Sequence, residues 1–135
     1  MMKKQVNIGK FPYFKDTARL QRLNRQVKLH SDLMPHQIST ATGCTLKEAM
    51  VILMLLYHKN LVELFLVIYH ISEPDSPILI RKIDEGLPSL PFLNPLDETE
   101  ITDSNEITYD FLFKLPANAE IEFVFGEYES DRSTS

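Results

Sequence analysis

The chain has 135 residues, 44% of them hydrophobic, which suits one domain with its own core and is too short for two. Its net charge of −5 is unevenly spread: residues 1–60 hold ten Lys and Arg against three Asp and Glu, and residues 61–135 hold four against sixteen. A single cysteine excludes an internal disulfide framework, and the longest apolar stretch, Val51 to Ile71, is too interrupted by His58, Lys59, Asn60 and Glu63 to cross a membrane.

Met1 to Lys10 carries basic residues with no apolar run behind them, so neither a signal peptide nor a location outside the cytoplasm is expected. Gly9 and Pro12 break any long element, and Met1 to Tyr13 reads as a flexible lead-in. A first helix is predicted from about Asp16 to Ser31. At 100° per residue Leu20, Leu23 and Val27 share one stripe, with Lys15, Arg19 and Arg22 roughly opposite and Arg25 and Lys28 further round the polar side. That basic side is either a wetted face or a contact for phosphate or an acidic protein.

Met34 to Val62 is the best-specified stretch. Pro35 suits a first helical position, where its missing N–H would have no partner. Gly43 takes positive φ without strain, so the chain can break sharply at Thr42-Gly43-Cys44. Thr45 with Glu48 spells a capping box, opening a longer helix that Asn60, tolerant of left-handed φ, can stop. Leu61 to Ile71 then turns extended and apolar on both faces, Ser72 to Pro77 is a turn, and Ile78 to Ile83 returns as a second strand.

Three helices, a tight Ile38–Gly43 turn region, a capped third helix and a hairpin directly after it resemble the winged helix-turn-helix superfamily over residues 16 to about 86. Asn60 stands where many relatives have Gly, and Ser39 where many have Ala. The resemblance implies an α+β fold, a three-helix core with a β-hairpin wing, within a domain spanning residues 1–90. Residues 91–106 read as a Pro-rich, acidic connector. Ile107 to Leu115 and Ile121 to Phe125 alternate with the strand period of two, so a C-terminal β-hairpin of the same domain is predicted over 107–127, with a disordered tail at 128–135.

No constellation reads as catalytic: there is no phosphate loop, no nucleophile elbow and no His-Glu-x-x-His among the four histidines. No enzyme activity, cofactor, metal site or small-molecule substrate is expected. Cys44 at a helix start could be a reactive thiol, but this position more often points inward as a small hydrophobe.

The third helix decides between functions. With Leu46, Ala49, Met50, Leu53, Leu56 and Tyr57 assigned to the inward face, the outward sides hold Lys47, Glu48, Val51, Ile52, Met54, Leu55, His58 and Lys59. Burying four aliphatic side chains would stabilise by about 1.5–3 kcal/mol each, so Val51, Ile52, Met54 and Leu55 call for a cover. That cover is either the C-terminal hairpin or another protein, including a second copy of the chain. The first expectation is a protein-interaction module using these four residues, as an adaptor or subunit. The alternative is a DNA-binding regulator in which Lys15, Arg19, Arg22, Arg25, Lys28 and Lys47 meet the duplex, with Thr40, Thr42 and Thr45 as backbone anchors. Glu73 and Asp75, at the tip of the wing, speak against a phosphate partner there.

Overall fold

A computed structural model describes residues 3–126. Three helices follow one another: α1 (Thr17–Leu29), α2 (Pro35–Thr42) and α3 (Leu46–His58). The Asp16 carboxylate caps α1 by accepting from the backbone N–H groups of Ala18 and Arg19 at 2.9 and 3.2 Å. Pro35 opens α2, and Gly43 ends it at φ 83°. The predicted capping box is formed: Thr45 Oγ1 accepts from the Glu48 N–H, and Glu48 Oε1 accepts from the Thr45 N–H, both at 3.0 Å. Asn60, at φ 60°, turns the chain out of α3 as its sequence predicts.

Among the described residues, eight strands complete the α+β fold: β1 (Lys3–Asn7), β2 (Asp32–Leu33), β3 (Glu63–His70), β4 (Pro77–Lys82), β5 (Phe92–Leu93), β6 (Glu100–Ile101), β7 (Ile107–Lys114) and β8 (Glu120–Val124). The main sheet is antiparallel in the order β2-β7-β3-β4. The hairpin expected after α3 is present as β3 and β4. Leu64, Leu66, Val67 and Ile68 are all buried, as expected of a strand covered on much of both faces.

Three expectations fail. The predicted C-terminal hairpin does not form, because β7 lies between β2 and β3, whereas β8 pairs in parallel with β1 in a separate two-stranded sheet. Alternation with period two fixes which side chains face inward but leaves the pairing partner open. The lead-in is correspondingly ordered from Lys3, with Val6 and Ile8 buried in the core. A parallel partner so far along the chain leaves no local trace. The connector likewise contains the small β5–β6 hairpin, and Ile101 within it is fully buried. The tail expected at 128–135 lies outside the described residues.

The main core joins the helices to β1, β8 and one end of the main sheet, through Phe14, Leu23, Ile38, Ile52, Leu53, Leu56, Phe113 and Phe123. A second, smaller cluster lies at the other end of the sheet. There Ile68, Ile78 and Ile101 pack with Leu79, Phe92 and Ile107 and fasten the β5–β6 hairpin down.

Candidate interaction surfaces

The inward arc of α3 is Ala49, Ile52, Leu53 and Leu56, all buried. Relative to the sequence reading this arc is rotated. Ile52, assigned outward, is 0% exposed and belongs to the core; Leu46, assigned inward, is 57% exposed. The cause is that α3 is apolar nearly all round, so periodicity gives its orientation little to hold on to. Val51 is 45% exposed, while Met54 and Leu55 are half-buried with their inner edges against the core. Leu46, Met50 and Met54, at steps of four, form one ridge of the outward face, and Lys47, Val51 and Leu55 form the next. Leu46 and Val51 stay exposed in the described chain, where β8 packs with α1 and β7 lies within the main sheet.

The basic residues of α1 divide into two groups. Lys15, Arg22, Arg25 and Lys28 are exposed. Arg19 is half-buried, with its guanidinium 4.1 Å from the centre of the Tyr13 ring and an N–H donated to the Tyr13 carbonyl at 3.3 Å. It holds the chain before α1 and is not free for a phosphate. Tyr13 in turn donates its hydroxyl to the Thr42 carbonyl at 2.7 Å, tying that segment to the turn between α2 and α3.

Among the threonines, Thr40 is exposed and Thr45 is engaged in the cap. Thr42 is 2% exposed; its hydroxyl donates to the Ile38 carbonyl at 2.8 Å and accepts from the Cys44 N–H at 3.3 Å, so it anchors no backbone outside the protein. Lys47 is exposed in the first turn of α3. Cys44 is buried, and that burial pushes its thiol pKa up, which suppresses the thiolate a nucleophile needs. Among the described residues no three His, Cys, Asp or Glu side chains converge as a metal site, and no helix is long and apolar enough to span a bilayer.

Sequence reasoning missed two surfaces. The first is the acidic β-arm. Residues 73–110 carry ten Asp and Glu against two Lys and Arg, and seven of the ten large apolar side chains exposed among the described residues lie between 71 and 109. Burial pushes the Tyr69 phenol up, and Asp110 and Asp75 push it further. At the arm's end the loop joining β5 to β6 is a knob organised by Asn94, which is buried. Asn94 accepts from the Leu96 N–H on its side chain at 2.9 Å and from the Glu98 N–H on its carbonyl at 2.7 Å, and donates its own N–H to the Thr99 carbonyl at 2.8 Å. Asp97 accepts from both the N–H and the hydroxyl of Thr99, which holds its carboxyl below the usual range. The Asn-Pro-Leu-Asp run signals a turn, but nothing in it tells that Leu93 and Leu96 end up 64% and 54% exposed.

The second is a cleft of about 860 Å³ between the C-terminal half of α1 and the chain that leads from β7 into β8. Val27, Leu115 and Ile121 form its apolar floor, and Lys3, Arg25, Lys28 and His30 stand around it together with Glu120 and Glu122. Lys3 lies 3.7 Å from Glu122. Leu29, at the rim, is 65% exposed.

Comparison of the chain with models of known protein families, with curated proteins and with solved structures finds no match.

Proposed function

We propose that this chain is a non-enzymatic interaction module of winged-helix type, an adaptor or subunit whose third helix is covered by a partner protein. The observation that carries this reading is the outward face of α3. Leu46 and Val51 are exposed beside half-buried Met50, Met54 and Leu55. Three helices, the glycine turn between α2 and α3, and the antiparallel β3–β4 hairpin support the winged-helix part of the reading. A helix meant for the major groove carries hydrogen-bonding side chains on its outward first turns, and here those positions include Leu46 and Val51.

The test is Leu46→Asp combined with Val51→Asp, both exposed, in copurification from the native cell extract. A partner retained by the wild type and lost by a variant of unchanged melting temperature supports the reading. A variant that unfolds, or that retains the same partners, removes it.

A DNA-binding regulator is the second reading, favoured by the exposed Arg22, Arg25, Lys28 and Lys47. Titration against random duplex DNA separates the two. Phosphate contacts would give binding that falls steeply with salt, and absence of binding at low salt removes the DNA reading.

A further inference from the structure

We propose that the acidic knob, Leu93 to Glu98, of one molecule seats in the cleft beside α1 of a second copy of the same chain. The knob is preorganised. Asn94 ties three backbone groups around itself, Glu98 is held at φ 62°, and Leu93 and Leu96 are left exposed on the loop. A loop already fixed in shape loses little freedom on docking, so contacts made by its two leucines are not offset by ordering.

The cleft has the matching chemistry. Its floor is apolar, exposed Leu29 stands at its rim, and Arg25, Lys28 and His30 line the α1 side. Glu120 and Glu122 also line it; Lys3, 3.7 Å from Glu122, offsets one of them, and Arg25 and Lys28 on the α1 wall outnumber the remaining Glu120. Opposite it the knob brings Asp97, Glu98 and, at its base, Glu100. Two surfaces that would each resist a like-charged neighbour attract one another.

A molecule's own knob cannot fill its cleft. The base of the knob packs at Ile107, the first residue of β7, and the cleft begins at Leu115, just past its last. Along a strand that separation is roughly 25 Å. The occupant therefore comes from another molecule, and two copies that exchange knobs about a two-fold axis make the contact twice and close the assembly.

The experiment is sedimentation of the full chain at low and at about 0.5 M salt, since screening weakens exposed charge pairs. The wild type is expected to sediment as an oligomer that shifts toward monomer as salt rises. Leu93→Asp with Leu96→Asp, Glu98→Lys with Glu100→Lys, and Arg25→Glu with Lys28→Glu should each leave only monomer at the same concentration, with unchanged melting curves. Mixing the two charge-reversed variants should restore the oligomer, because each then offers the other a complementary surface. A wild type that is monomeric at every concentration overturns the proposal. So does an oligomer that survives both reversals, including one that only Leu46→Asp with Val51→Asp dissolves, which would locate self-association on α3.

Discussion

The side-chain amide of Asn24 holds the backbone of Phe123 from both sides: Nδ2 donates to the Phe123 carbonyl at 2.9 Å, and Oδ1 accepts from the Phe123 N–H at 2.7 Å. An amide has one donor end and one acceptor end, so it can stand in for a neighbouring strand. By this means α1 closes the edge of β8 that β1 leaves free and fastens the small parallel sheet to the helices. Asn24→Ala removes both partners from half-buried backbone groups, and a loss of about 1–3 kcal/mol is expected. Chemical denaturation measures it; a loss within error of zero would mean that water replaces the amide at no cost.

Gly43 and Tyr13 form a second such lock. A β-carbon on Gly43 would fall 2.5 Å from the Tyr13 hydroxyl oxygen but 3.8 Å from the ring carbon that bears it. Gly43→Ala therefore suffers twice: from left-handed φ, costing about 1–2 kcal/mol, and from the clash. In a Tyr13→Phe background only the first penalty remains, so the same substitution should cost measurably less there. Equal costs in both backgrounds would show that the two residues do not couple.

These two locks also mark what could be read from the sequence. Thr45 with Glu48, Pro35 and Gly43 act over three or four residues, and each was legible because its chemistry is local. The β1–β8 pairing was not, since Gln5 and Glu122 meet across 117 residues and neither segment is long enough to announce a partner. The site was half legible. That α3 has an outward apolar face followed from its composition, but which residues form it did not, because a helix greasy on all sides reads alike at any rotation. Asn24 sits on α1 among other polar residues and carries no signal that it grips a strand.

The orientation of α3 makes a sharp contrast between neighbours. Ile52 is wholly within the core and Val51 is 45% exposed. Ile52→Ala should cost about 2–5 kcal/mol through lost transfer and a residual cavity. Val51→Ala should stay within roughly 0.5 kcal/mol in the isolated chain, as surface changes do. Urea melts of the two variants decide it, and the opposite ranking would mean that the helix is turned the other way.

The acidic arm carries a pH signature of its own. Asp97 is held below the usual carboxylate range, chiefly by the Thr99 hydroxyl and then by the Thr99 N–H. Glu106 is held low chiefly by the N–H groups of Thr102 and then Asp103. A carboxyl whose folded pKa lies below its unfolded one stabilises fully above the unfolded value, and that contribution disappears as pH falls through the folded one. The order of residues 97–106 should therefore persist at neutral pH and loosen only in acid below the ordinary carboxylate range. Amide resonances of Thr99, Thr102 and Asp103 report it directly. Asp97→Asn keeps the acceptor oxygen without its charge, so the Thr99 amide should then stop responding to acid while Thr102 and Asp103 still do. Titration of all three at the pH of an unstructured peptide would show that these carboxylates are not holding the arm together.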